Sequence, residues 1–227
     1  MKVIEPYYYF PHADFEPISV SQRIKSDEKF LEYAGRIANQ SHDIATQDSA
    51  EEFLKNLLTP KNGIVHKSVI EHRSFSVVFV CDRGISHEIV RHRIASYTQE
   101  STRYCNYAKA KFGSEITVIK PCFFKEGTHL YDTWYQSCLQ AERAYFELLK
   151  HGATPQQARS VLPNSLKTKL LVTMNYSAWR HFFKLRTDSA AHPQMRELTI
   201  PLLKDLREIS PVLFGDINSH LFDTVTK

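Results

Sequence analysis

The sequence predicts an α+β fold, a single helix-rich domain over residues 1–227 with a central antiparallel or mixed sheet. Three observations predict it. The run SFSVVFVC, residues 74–81, is β-branched and largely apolar over the length of a strand. Residues 130–150 place Trp134, Leu139, Tyr145, Phe146 and Leu149 along a long amphipathic helix. No Pro-, Gly- or Ser-rich linker divides the chain.

Taken in order, MKVIEPYYYF is rich in β-branched and aromatic residues and reads as an edge or terminal strand. Residues 27–40 read as a helix whose core side carries Phe30, Leu31, Ala34 and Ile37. Ser49, followed by Ala50, Glu51 and Glu52, reads as a capping box opening a helix over 50–58, which Pro60 and Gly63 end. After the strand at 74–81, Asp82 is placed to cap a helix over 83–93 with Ile85 and Ile89 in the core and His87, Glu88 and Arg91 on its other faces. Residues 94–112 have no dominant period and read as a loop, and EITVI, 115–119, as a short strand. Thr154-Pro155 supplies the N-cap and first position of a helix that runs to Val161-Leu162 and stops before Pro163. Residues 169–174 fit a strand or a buried helix. Residues 177–186 read as helical, as do 194–207 after His192-Pro193.

The composition is 42% hydrophobic and 24% charged, with no low-complexity segment or repeat. The N-terminus lacks the apolar core and cleavage site of a signal peptide, and no apolar stretch approaches ~18 residues, so a cytoplasmic protein without a membrane partner is expected. Cys81, Cys105, Cys122 and Cys138 form no C-x-x-C pair and are expected to be free buried thiols. The net charge of +4 suits an anionic partner without demanding one. It is unevenly spread: Arg83, Arg91, Arg93, Arg103, Lys109 and Lys111 fall within 29 residues, with His87 and His92 among them.

Within that stretch, RHRIASYTQESTRY gathers three arginines with serine, threonine and glutamine side chains. Guanidinium forks fit phosphate bidentately, and hydroxyls add short hydrogen bonds. A solvated basic loop, or a nucleic-acid patch with tyrosines interleaved for stacking, has the same composition. The weak overall basic bias and the absence of a nucleic-acid motif disfavour a nucleic-acid partner. No G-x-S-x-G elbow surrounds Ser101, so a phosphate-ligand role suits it better than a nucleophilic one. His66, Glu71 and His72 lack the H-E-x-x-H spacing, and no metal is expected. His92, flanked by arginines, should resist protonation. Trp179, Phe182, Phe183 and Arg186 share one helix face, so that guanidinium needs an anionic partner or a route to water.

Arg91-His92-Arg93, seven residues, then Ser101 resembles the signature of the flavin-dependent thymidylate synthases. Three further segments are similar to that family in the same order. They are His66-Lys67-Ser68-Val69-Ile70-Glu71-His72, Ala158-Arg159-Ser160-Val161-Leu162-Pro163, and the block from Asn175 through Arg186 to Ala191-His192-Pro193-Gln194. The resemblance spans roughly residues 60 to 200. It implies a homotetramer, with sites shared between subunits, that binds FAD and converts dUMP to dTMP. Methylenetetrahydrofolate would be the methylene donor, and NADPH would reduce the flavin.

By the same resemblance His66, Ser68, Glu71, Arg91, His92, Arg93, Gln99, Asn175, Ser177 and His181 would bind FAD. The dUMP would be held by Glu88, Ile89, Val90 and Arg91 from one subunit and by Gln99, Glu100, Ser101, Thr102, Arg103 and Arg159 from another. Arg186 would contact the pyrimidine and favour its N3-ionised form, which makes it the expected catalytic residue. No enzyme cysteine is required. Gln99 stands where many members have glutamate, Ser177 where many have arginine, His181 where others have asparagine, and Ala38 where a serine near the flavin is expected. Weaker FAD binding is the expected consequence.

Overall fold

The computed structural model describes residues 1–11, 18–46, 48–59, 66–109 and 113–222. Pro60, Gly63 and Lys111 lie outside them. The chain divides into two compact units, one of Met1–Tyr8, Val78–Arg91 and Tyr97–Leu171, the other of Tyr9–Val77, His92–Ser96 and Val172–Lys227.

In the first unit the amino terminus is a strand, β1 (Lys2–Ile4). After β2 (Tyr7–Tyr9), β3 (Ser74–Asp82) and β4 (Ser96–Gln99) comes β5 (Thr117–Ile119), and β1 pairs with it in parallel, Val3 opposite Val118. The terminal ammonium of Met1 bridges Glu115 at 3.1 Å and Glu142 at 3.0 Å. The helix of residues His129–Lys150 packs Cys138 and Tyr145 against Ile116, Val118 and Leu166. Trp134, Phe146 and Leu149 flank this core half-buried, and Leu139 is also half-buried. Trp134 Nε1 donates to Ser165 Oγ at 2.9 Å, which satisfies the polar end of the indole. Thr154 and Pro155 open a short helix, Pro155–Ala158, as expected, and Gln157 Oε1 accepts from Thr154 N at 2.9 Å.

Two expectations here are corrected. The helix after Asp82 covers only Arg83–Ile89, although Asp82 Oδ1 does cap it at Ile85 N, 2.7 Å away. It stops because the Arg91 amide tightens onto Glu88 O at 3.2 Å, and the chain then turns into β4. That strand lies inside the segment read as a loop. The alternation was missed because it spans four residues of polar and aromatic character.

The last strand, β6 (Lys167–Asn175), settles the ambiguity at 169–174. Thr168, Leu170, Val172 and Met174 are buried in a period of two, as a strand requires. The second sheet has strand order β2-β3-β6-β4. Tyr176 N donates to Arg73 O at 3.2 Å and Arg83 N to Asn164 O at 3.0 Å, so β3 and β6 run antiparallel. The α+β expectation is met.

The second unit is mostly helical. Among its described residues, α1 is Val20–Ile37 and α2 is Ser49–Leu58; numbering α3 (Arg83–Ile89), α4 (His129–Lys150) and α5 (Pro155–Ala158) from the other unit, α6 is Tyr176–Arg186, α7 Pro193–Ile209 and α8 Pro211–Phe214. Its core is aromatic. Phe75 stacks on Trp179 at 5.1 Å, Trp179 on Phe183 at 5.7 Å, and Phe214 meets Phe75 edge-on at 6.3 Å. Trp179 Nε1 donates to Phe75 O at 3.1 Å.

Helix α1 corrects the stripe read from its sequence. Leu31 is buried, but Phe30 is 37% and Ile37 53% exposed, and Ala34 is half-buried. The helix begins seven residues before the expected 27, behind a Ser19–Gln22 capping box. Its buried side is Ile24, Asp27, Glu28, Leu31, Glu32 and Gly35. The three carboxylates are inside because each is paired: Asp27 by Tyr176 Oη at 2.8 Å, Glu28 by Ser210 Oγ at 2.5 Å, and Glu32 by Arg36 Nε at 2.8 Å. Ser49 is not the cap of α2 either. Its Oγ accepts from Thr46 N at 2.8 Å and donates to Glu32 at 2.7 Å, and Asp48 holds the N-cap position.

Candidate active site

In the first unit, the segment after β4 is held to α5 and to the 3₁₀ turn Arg159–Val161 that follows it. Arg159 donates to Thr102 Oγ1 at 3.4 Å, and Arg103 Nε donates to Gln156 Oε1 at 3.0 Å. Ser101 Oγ accepts from Arg103 N at 3.3 Å, and its carbonyl accepts from the amides of Tyr104 and Cys105. Thr102 is buried, whereas Arg103 and Arg159 are exposed. Two exposed guanidiniums and two hydroxyls thus gather where that segment meets α5 and the turn after it, a donor set suited to phosphate. Glu100 Oε2 accepts from Lys167 Nζ at 2.7 Å and Lys169 N at 3.2 Å. The amide nitrogen of Gln99 donates to Ser86 Oγ at 2.8 Å and Thr168 Oγ1 at 3.2 Å. Ile89 is buried and its carbonyl accepts from Tyr97 Oη at 3.0 Å, Glu88 and Val90 are half-buried, and Arg91 is exposed.

The remaining candidates fall in the second unit. Asn175 caps α6, accepting from Ala178 N at 2.8 Å, with Ser177 in the first turn and His181 exposed farther along. At the other end of α6, Arg186 Nε donates to His92 Nε2 at 2.9 Å. The His92 ring meets Phe182 edge-on at 4.9 Å and His181 at 6.0 Å. Arg93 is exposed. Burial, then the Arg186 charge, then His181 push the His92 pKa down to about 4. The expected resistance to protonation is therefore present, but its cause is burial and Arg186 rather than the flanking Arg91 and Arg93.

His66 and Ser68 line a cleft of about 790 Å³ formed by α1, α2 and the 3₁₀ turn Lys67–Glu71. Arg36, Asn39 and Asn56 offer further polar groups to it, and Phe53, Leu57 and Val69 give it apolar walls. Ala38 also lines it, and Glu71 is exposed. Arg36, Asn39 and Asn56 were missed by the sequence reading. They lie outside the motif blocks, and only the cleft brings them beside His66.

Cys81 and Cys138 are buried, which pushes the Cys81 thiol up and that of Cys138 to about 11. Neither is poised as a nucleophile at neutral pH. Cys105 is half-buried and Cys122 exposed, so the expectation of four buried thiols holds only in part. No helix among the described residues is long and apolar enough to cross a membrane.

Residues 19–212 match the family described as thymidylate synthase complementing protein. The chain is 32% identical over 187 residues to a flavin-dependent thymidylate synthase of Pyrococcus furiosus, covering 81% of this chain and 74% of that protein. It is also 32% identical over 217 residues to one from Corynebacterium aurimucosum, covering 88% and 83%. A third, from Geobacter sulfurreducens, is 36% identical over 152 residues, covering 66% and 64%.

Proposed function

The chain belongs to the flavin-dependent thymidylate synthase family, and on that premise we propose that it makes dTMP from dUMP by reductive methylation. Methylenetetrahydrofolate is the methylene donor, and NADPH reduces the bound FAD. The observation that carries this function is the meeting of His92 and Arg186. They come from separate signature segments 94 residues apart, and they join at 2.9 Å.

The residues present fit a flavin nucleotide. The cleft beside His66 and Ser68 combines amide, hydroxyl and guanidinium donors with apolar walls, as a nucleotide cofactor requires. His66, Ser68, Glu71, Arg91, His92, Arg93, Gln99, Asn175, Ser177 and His181 are the residues assigned to hold FAD. When bound, FAD supplies the two-electron chemistry. The protein binds, orients and polarises. Ser101, Thr102, Arg103 and Arg159 take the dUMP phosphate, with Glu88, Ile89, Val90, Arg91, Gln99 and Glu100 along the nucleotide. The Arg186 guanidinium stabilises negative charge at N3 of the pyrimidine, because an adjacent cation favours the ionised form. The four cysteines have no part in the step. The whole chain works as one functional domain within a homotetramer whose subunits share sites.

The test is release of tritium from 5-tritiated dUMP by purified protein given FAD, NADPH and methylenetetrahydrofolate, with a flavin-free control on apoprotein. Flavin-dependent release with stoichiometric dTMP is the expected result. Flavin binding without release would overturn the proposed activity.

A further inference from the structure

Arg186 is held from the side. Its Nε–H donates to His92 Nε2 at 2.9 Å. A guanidinium is always a donor, so Nε2 must carry the lone pair and the ring proton must sit on Nδ1. Two aromatic rings flank the imidazole. Phe182, fully buried and one turn before Arg186 on α6, meets it edge-on at 4.9 Å with the planes at 68°, and His181 meets it at 6.0 Å and 65°. The buried Phe182 ring therefore backs the imidazole, and the imidazole orients the guanidinium.

We propose that His92 is the positioning residue for Arg186, gripping Nε so that the terminal edge of the guanidinium meets the pyrimidine in one orientation. This rests on the assignment of Arg186 to the substrate. An arginine side chain loses rotamer freedom when it binds, and a contact that fixes its plane beforehand lowers that cost in substrate binding. The acceptor is durable. Burial first, then the charge of Arg186, then His181 lower the His92 pKa to about 4, so Nε2 keeps its lone pair across the neutral range.

The test is calorimetric dUMP binding to the FAD-loaded protein, with flavin titrations in parallel. His92→Gln keeps an acceptor that can reach the place of Nε2, whereas His92→Phe keeps a ring without one. The expected result is dUMP affinity within about threefold of wild type for His92→Gln and about tenfold weaker for His92→Phe. In an Arg186→Ala background, His92→Phe should add nothing, because a residue acting only through Arg186 is non-additive with its loss. Equal weakening by Gln and Phe, or a His92→Phe effect that persists without Arg186, would overturn the positioning role. If Arg186→Ala itself leaves dUMP affinity unchanged, the substrate assignment of Arg186 is what fails. Should His92→Phe fail to fold, His92→Asn, too short to place an acceptor there, replaces it with the same expected loss.

Discussion

At the scale of single residues, Arg186 and His92 answer to different variables. Arg186→Lys keeps the charge but removes the Nε–H and the planar fork, so kcat/KM for dUMP should fall about a hundredfold in steady-state assays. His92 answers to pH. Its folded pKa, near 4, lies below the ordinary 6.5, so between those values the unfolded chain binds more protons than the folded one. The stability it contributes is full above pH 6.5 and is lost as pH falls toward 4. Chemical denaturation at stepped pH should show this decline, and His92→Gln should flatten it. Ser177 lies in the first turn of α6. Restoring the arginine common in the family there should tighten FAD binding about tenfold by one charge-assisted hydrogen bond, and a fluorescence titration giving equal or weaker binding would count against Ser177 as a flavin-side position.

At the scale of elements, the carboxylates of α1 show where sequence was a sufficient guide and where it was not. The Asp82 cap, the Thr154-Pro155 start and the strand at 74–82 follow from local rules, because each depends on neighbours within a few residues. The buried face of α1 depends on Tyr176 and Ser210, which are 149 and 182 residues away from the acids they satisfy. No periodicity reports such partners, and so Phe30 and Ile37 took the places of Asp27 and Glu28 in the expected core. The site divides in the same way. The motif residues could be named from the chain, whereas the grip of His92 on Arg186 and the lining by Arg36, Asn39 and Asn56 exist only once helices are placed. Removing one distant partner should expose this dependence. Tyr176→Phe leaves Asp27 short of a hydrogen bond in a buried setting, and thermal denaturation should show a loss of about 1–3 kcal/mol.

At the scale of the whole molecule, the assigned residues are unevenly distributed. Apart from Arg186, all the residues assigned to dUMP belong to the first unit, and those assigned to FAD belong to the second except Arg91 and Gln99. If subunits of the proposed tetramer share sites, with Glu88–Arg91 from one and Gln99–Arg103 with Arg159 from its neighbour, two defective proteins can repair each other. A Glu88→Ala/Arg91→Ala protein and an Arg103→Ala/Arg159→Ala protein should each be inactive alone. Unfolded together, refolded and assayed, they should regain roughly a quarter of wild-type activity, since random pairing gives one site in four with both halves intact. Sites built within single subunits would leave the mixture as inactive as its parts, because every site would then carry one defect or the other.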